Sequence, residues 1–544
     1  MYEVKVHGKT LKYESNMLLG DIAKELKIEA YVAKVNNRMR ELSYYVNYDC
    51  EIEFLDLNDF DAVRCYETSM RYIIIMVLER MIPGIQIKFN QCVSRSISCE
   101  ILNYQDKIDV KFLEKLELEL KKIVEKDIPI RRKKITKKEA TKLYSEKGYF
   151  DKIEVLKYRV EDTVNLYECD GYENYMFGYM VASTGYLKKY KLKMYGSNFI
   201  VQFPRAEAKG EIPPFEDSPI FGKMLVDAQK WSDDMDCNTI PKLNKYINNN
   251  NMVDLVNLCE TKHNNMLADL GMKIKDNIDN IRIIAIAGPS SSGKTTFSNR
   301  LRIELMTRGI KPIKISMDDY YLDRNLAPLD EHGKPDLEHL HALDVEKFNN
   351  DLLSLIKGED VELPKFDFVS GKRVKGKKVR IKSNQPIIIE GIHALNEELT
   401  ASIPKHQKFK IYISPLSQIN IDNHNPINAT DIRMLRRIVR DEKFRKTHPS
   451  ATFSMWSSVR RGEFRWIYPW QETADYIFNT ELTYELCVIK KYALPVLESI
   501  NRSDKYFVSA NRLVKFLKYF KDIDDKLVPC NSLLREFIGE SCFA

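Results

Sequence analysis

No stretch of this 544-residue sequence stays apolar long enough to cross a membrane. The best run, 72–78 (YIIIMVL), is stopped by Glu79 and Arg80, far short of the roughly 20 residues a membrane helix needs. The opening MYEVKVHGKT also lacks the apolar core of a signal peptide, so the expected compartment is the cytoplasm, with no membrane partner. Histidine is scarce: there are nine, and only His7 precedes residue 263. The ten cysteines are scattered without any CxxC spacing, which excludes a zinc ribbon or a redox pair and leaves reduced thiols. Charge of one sign is missing too. The 85 lysines and arginines exceed the 78 aspartates and glutamates by only 7, too little over this length to attract nucleic acid unless the positive charge is clustered. With 21 glycines, 20 prolines, 44% hydrophobic and 30% charged residues, the composition excludes collagen-like, mucin-like and disordered chains. At roughly 150 residues per domain, three to four domains are expected.

The first 60 residues alternate apolar and polar positions around Gly8, the pattern of a β-hairpin. MLLGDIAKELKI then places Leu18, Ile22 and Leu26 on one helical stripe, and AYVAKVNNRMREL returns to strand and turn, a ββαββ order. Lysines and arginines crowd 115–147, but glutamates interrupt them and Leu116, Leu118, Leu120, Ile123 and Val124 fit one apolar side. A solvated helix face is favoured over the RNA contact that the basic residues leave open as a second reading. Residues 216–275 read as helices joined by an Asn-rich turn, a connector between two halves.

The most specific chemistry starts at 281. IRIIAIA is a β-branched run suited to a buried parallel strand, and it leads into GPSSSGKTT. Gly288, Gly293, Lys294 and Thr295 satisfy GxxxxGK[ST], the P-loop, with Ser290, Ser291, Ser292 and Thr296 completing the cradle. Backbone N–H groups must converge on phosphate oxygens there. Side chains at the glycines would obstruct them, while Lys294 adds a cation and Thr295 a hydroxyl for Mg²⁺. Phe297, Leu301 and Leu305 recur at helical spacing until Gly309, a C-terminal cap. No NKxD tetrapeptide reads guanine. A second strand, KPIKISM, ends in Asp318, Asp319, Tyr320 and Tyr321, setting a carboxylate at the ligand-binding edge of a doubly wound sheet; Asp319 is expected to be a helix N-cap.

Taken together, GPSSSGKTTF, ISMDDYY, IIIEGIHAL and DIRMLRRIVRD resemble the uridine kinase and phosphoribulokinase family over about 40% of the chain. Upstream, residues 1–60 resemble the TGS domain, a ubiquitin-like module. Within residues 61–215, EKDIPIRRKKITKKEATKLYSEKG followed by VASTGYLKKYKLKMYG is similar to the second, editing domain of threonyl-tRNA synthetases, in the same order after TGS. The resemblance implies an α/β multidomain chain: a TGS domain (1–60), an α+β synthetase-like domain (61–215), a helical connector (216–275), and a P-loop doubly wound parallel-sheet kinase domain with a C-terminal helical extension (276–544). The whole layout looks like the long bacterial uridine kinase-like nucleoside kinases, with ATP and Mg²⁺ as cofactors, a nucleoside as partner and a homo-oligomer as the expected assembly.

Carried over by position, Asp318 matches the general base near Mg²⁺, and Glu390, after the strand PIII, the acid that orients Mg²⁺ or its water. Glu338 matches an acceptor of ribose hydroxyl hydrogen bonds, Arg437 a ribose contact, Arg440 and Arg445 contacts to the ATP phosphates, and Tyr321 and Phe366 the substrate pocket. Arg433, Arg437 and Arg440 share one face if 433–445 is helical, and such a face stabilises the charge of phosphoryl transfer. Two departures stand out. Uridine kinases carry PxYxF followed by a histidine, whereas PKFDFVSGKR has Phe366 without the hydroxyl and Gly371 without the imidazole, so uridine specificity is not expected to hold. The synthetase HxxxH pair is missing, where the chain reads CYETSMRYII, and Cys169 alone cannot form an editing site. GKRVKGKKVRIK, with seven basic residues in twelve, reads as an exposed hairpin, with an RNA or polyanion contact as the second reading. Trp456, Arg460, Arg461 and Glu463 are candidates for the acceptor pocket or for ordinary packing.

Overall fold

The computed structural model describes every residue except 332, 368–369, 383–384, 418 and 544. Its first unit is a five-stranded sheet of β1 (Tyr2–Val6), β2 (Lys9–Tyr13), β3 (Val32–Val35), β4 (Arg38–Glu41) and β5 (Cys50–Leu55), in spatial order β2-β1-β5-β3-β4. β1 and β5 run parallel and the other pairs antiparallel. Helix α1 (Leu19–Glu25) lies one residue off the expected stripe: Leu19, Ile22 and Ala23 are buried, while Leu18 and Leu26 flank the helix half-buried.

The apolar 72–78 run forms the inner half of α2 (Phe60–Met81), which starts at Asp59, whose side chain accepts the Asp61 and Ala62 N–H groups. It reads as uniformly apolar because it is enclosed on every side, with Tyr72 through Leu78 all buried. Among the described residues no helix is long and apolar enough to cross a membrane. α3 (Val110–Glu125) buries Leu113, Leu116, Leu120, Ile123 and Val124 and keeps its charges outside; Leu118 departs from the expected stripe and is exposed. Residues 216–275 form α4 (Pro219–Asp234), α5 (Ile240–Asn248) and α6 (Met252–Asp276).

The C-terminal half is a doubly wound sheet of five parallel strands. These are β6 (Ile283–Ala287), β7 (Ile313–Ser316), β8 (Ile387–Glu390), β9 (Lys408–Ser414) and β10 (Tyr476–Asn479), ordered β7-β8-β6-β9-β10. Every residue of β6 and β8 is buried, which accounts for their continuous β-branched sequences. The basic GKRVKGKK segment supplies the exposed strand Lys372–Val379, as expected, which pairs antiparallel with the partly buried Val361–Asp367.

The two halves interlock. Lys152 and Asp422 form an ion pair at 3.0 Å with side chains 1% and 0% exposed, the Phe89 N–H donates to the Asn423 carbonyl, and the Arg71 guanidinium donates to the His424 carbonyl. The 420–426 segment of the C-terminal half is thus held inside the N-terminal half.

Candidate active site

Strand register brings the site together. Glu390, the last residue of β8, sits level with Ile286 of β6 and Ser316 of β7. Two residues further on, the neighbouring strands deliver Gly288 and Asp318 to the same carboxyl edge, where doubly wound sheets bind ligands.

The loop after β6 is shaped for phosphate. A Cβ at Gly288 would lie 2.2 Å from the Ile413 carbonyl oxygen, so only glycine lets the loop pass. Ser291 and Gly293 take left-handed φ values of +60° and +92°, and helix α7 (Lys294–Thr307) starts without a cap from its N-cap residue; of its first N–H groups, that of Thr296 is taken by Glu536. The Ser291 and Ser292 hydroxyls are buried without a hydrogen-bond partner, the condition of donors that await an anion. Thr295 is exposed on the first turn of α7. Lys294 folds back on the loop and donates to the Gly288 and Pro289 carbonyls at 2.9 and 3.2 Å. Burial lowers its pKa against the opposing pull of Glu390, Asp318 and Glu536.

Helix α8 (Ala429–Arg445) lies along this loop. Arg433 Nε donates to the Ser290 carbonyl at 2.9 Å, Arg436 Nη1 to the Ser291 carbonyl at 3.3 Å and Arg437 Nη1 to the Ser290 hydroxyl at 2.8 Å. The expected face is present, and Arg436 extends it. One buried carboxylate organises the next set: Asp441 accepts from Arg437 at 3.2 Å and from Arg440 at 3.0 and 3.1 Å, with Arg445 at 3.4 Å. It holds three guanidiniums in one cluster, which could not sit so close without a shared counter-ion.

Asp318 is half-buried. Burial raises its pKa while Lys294, Arg445 and Arg440 pull it down. Glu390 is buried and also raised, first by burial and then by the Asp318 charge. Two carboxylates, one lysine and two arginines therefore share a space in which an added hard cation and a polyanion would be complementary. Asp319, expected to cap a helix, does not: it lies in the short 3₁₀ turn Met317–Tyr320, and its carboxylate accepts the Phe366 N–H at 3.2 Å. With Arg373 N–H on Asp323 at 3.0 Å, this pins the 361–379 hairpin over the Asp318 turn.

The substrate-side residues converge here as well. The Tyr321 and Phe366 ring centroids are 5.6 Å apart, and the Tyr321 hydroxyl donates to the Leu337 carbonyl at 3.1 Å. Glu338 approaches the end of helix α9 (Pro449–Gly462) so closely that a Cβ at Gly462 would lie 2.5 Å from its own Cβ. Burial, opposed by Arg437 and Lys294, pushes Glu338 up to about 7. Gly371 cannot be read as a mere loss of imidazole: its φ is +68°, and a Cβ would meet the Arg324 side chain at 2.9 Å. The turn favours glycine.

Of the four later candidates, Glu463 is a buried brace that accepts from Arg433, from Arg460 at 2.5 Å and from the Tyr468 hydroxyl at 3.1 Å. Trp456 lies under Arg433 at 5.3 Å. Arg461 pairs with Asp330 at 3.3 Å. Three residues escaped the sequence reading. Asp441 stands inside the RRIVRD motif. His393, three residues after Glu390, is buried with neither ring nitrogen satisfied and is held neutral by burial and by neighbouring His339. Glu536 arrives from the far C-terminus and accepts the Thr296 N–H at 2.9 Å, and no local pattern announces it.

Comparison with known proteins fits this geometry. The model of the "Phosphoribulokinase / Uridine kinase family" matches residues 283–485. A uridine kinase of Staphylococcus aureus is 31% identical over 196 residues, 36% of this chain and 86% of that protein. The chain belongs to the phosphoribulokinase and uridine kinase family. Its kinase half is a nucleotide-binding phosphotransferase. A threonine–tRNA ligase of Thermotoga petrophila is 28% identical over 188 residues, 34% of this chain. The chain spans only 29% of the length of that ligase. Among solved structures, D-glycerate 3-kinase from Cryptococcus neoformans covers 46% of this chain and 87% of its own, at 14% identity and a TM-score of 0.21.

Proposed function

We propose that the chain transfers the γ-phosphate of ATP, with Mg²⁺, to the 5′-hydroxyl of a nucleoside. One observation carries the reading. Asp318 stands at the sheet edge between the phosphate cradle and the Tyr321–Phe366 pair, with cations and a second carboxylate around it. A nucleotide switch needs the cradle alone; an acid beside an acceptor pocket is what a kinase needs in addition.

The residues fit both cofactors. The unpartnered Ser291 and Ser292 hydroxyls, and the glycines that leave room for the loop, suit the phosphates of ATP. Thr295, Asp318 and Glu390 supply the few oxygen donors a hydrated Mg²⁺ takes from protein when phosphates supply the rest. Magnesium would neutralise charge on the transferring group. Lys294 would leave its loop carbonyls for phosphate oxygens, Arg440 and Arg445 would face the developing charge, and Asp318 would accept the hydroxyl proton. Glu338 and Arg437 would hold the ribose. Loss of the tyrosine hydroxyl and of the imidazole argues for a base other than uracil or for broad choice. The test is a panel of nucleosides and sugar alcohols with ATP and Mg²⁺, run on wild type and on Asp318→Asn. Turnover is expected to fall about 10²- to 10⁴-fold with ATP affinity within about twofold. Full turnover in the variant would refute the base, and ADP release without a phosphorylated product would refute the kinase reading.

For the N-terminal half we propose a TGS domain (1–60) and a synthetase-like domain (61–215) without editing chemistry. Cys169 supports this, since burial first and Asp170 and Glu168 next push its thiol up to about 12, the opposite of an activated nucleophile.

A further inference from the structure

A cavity of about 670 Å³ opens between the N-terminal half and the C-terminal helix α11 (Phe507–Leu517), and it is separate from the P-loop. Helix α8 presents Asp431 to this cavity and Arg433 to the P-loop, two positions about 200° apart on a helix. Ten lysines and arginines line the cavity against four carboxylates. Arg38, Arg132 and Lys515 keep contact with solvent at its mouth, and a surplus of one sign around a concave space raises the local concentration of anions there.

The pairing pattern sharpens the point. Neither Lys515 nor Arg38 has an ion-pair partner among the described residues, and Arg132 reaches Glu41 only at 3.7 Å. The Nε groups of Arg40, Arg71 and Arg512 are buried with no hydrogen-bond partner, and Arg71 as a whole is 6% exposed. Burial and the charges of Arg132, Arg159 and Arg38 outweigh Glu161 and lower the Lys515 pKa. The same walls carry eight aromatic rings, among them Tyr158, Phe177 and Tyr179. Arg132 already stacks on Tyr179 at 5.2 Å. Arg512, Arg64 and Arg71 are already paired with Asp431, Asp61 and Glu67, and Arg159 with Glu161 at 3.6 Å, so the cations left for a ligand include Lys515, Arg38 and Arg132; beside flat rings, in a volume of this size, they suit phosphate joined to a base.

We propose that this cavity is a second nucleotide site, in which Lys515, Arg132 and Arg38 hold phosphate and the aromatic wall stacks the base. It is independent of the kinase reading.

The test is isothermal titration of the full chain with ATP, GTP, CTP and UTP, and with inorganic tripolyphosphate. It is run on wild type, on Lys294→Ala, which weakens the P-loop site, and on Arg132→Ala/Lys515→Ala. At least one nucleotide is expected to fill two sites in wild type and one in each variant. In Lys294→Ala that nucleotide should bind about 5- to 150-fold tighter than tripolyphosphate, since base stacking adds about 1–3 kcal/mol. Arg132→Lys/Lys515→Arg, which keeps the charge, should restore the second site, and unchanged melting temperatures separate loss of binding from loss of fold. A single site for every nucleotide, or a second site untouched by Arg132→Ala/Lys515→Ala, would overturn the proposal. Tripolyphosphate equal to the best nucleotide would overturn the base contact. Tight tRNA retention on filters with no second mononucleotide site would overturn the whole and assign the charge to RNA.

Discussion

Replacing Glu536 by glutamine should tighten nucleotide binding. In the structure the C-terminal helix α12 (Arg535–Ile538) rests on the P-loop. A Cβ at Gly293 would lie 2.4 Å from Leu533, Lys443 donates to the Ile538 carbonyl, and Glu536 accepts the Thr296 N–H at 2.9 Å. That N–H is one of the first donors of α7, where a phosphate must bind. A nucleotide therefore has to displace one anion before its own can enter. A hydrogen bond to a charged group is worth about 1.5–3 kcal/mol and a neutral one about 0.5–1.5. Glutamine keeps the neutral bond, so the saving is about 1–1.5 kcal/mol, or about 5- to 10-fold in affinity. Removing like-charge repulsion toward the phosphates acts in the same direction. The assay is titration with ADP and with ATP at fixed ionic strength, beside a thermal melt. Leu533 and the Lys443 contact remain, so the melt should shift little. Unchanged or weaker binding in Glu536→Gln would refute the reasoning and make Glu536 a support of the bound nucleotide.

Three further outcomes follow from the same contacts. Arg436 is fully buried and donates to Glu485 at 3.0 and 2.5 Å, so Glu485→Gln strands a buried cation and should lower unfolding free energy by about 3–5 kcal/mol in urea titration. Asp422→Asn should cost a similar amount by stranding Lys152, and Lys152→Met/Asp422→Leu should recover much of it in the same assay. Glu338 has a folded pKa raised to about 7, above its ordinary carboxylate value, so it takes up a proton as pH falls through 7 and then accepts fewer hydrogen bonds. The nucleoside KM should rise as pH drops from about 8 to 6 in wild type and stay flat in Glu338→Gln, and a parallel slope in both would exclude Glu338 as the titrating group.

What the sequence reveals of the site depends on how far apart the partners lie. The P-loop, the Asp318 turn and the arginine helix are each local patterns, in which spacing alone fixes which side chains share a face. Asp319 was misread because its partner is the Phe366 N–H, 47 residues away, and a 3₁₀ turn replaced the helix it was expected to start. Glu536 meets Thr296 across 240 residues with no motif at either end. Asp441 is a third case: it lies within RRIVRD, but sequence spacing does not show that three guanidiniums meet on its one carboxylate. The apolar run 72–78 is uniform because the helix that carries it is enclosed on every side, which the run alone does not show.

The hairpin over the site links the missing uridine contacts to architecture. Gly371 lies at its turn with positive φ and the Arg324 side chain where a Cβ would be, so histidine there would require both a strained backbone and a displaced arginine. Phe366 is in turn fixed through its N–H by Asp319 and through its ring by Tyr321. Both departures therefore belong to one rearranged turn and hairpin, and a single reversion at either position would not rebuild a uracil-reading edge. Specificity in this chain has to come from groups other than that tyrosine and histidine.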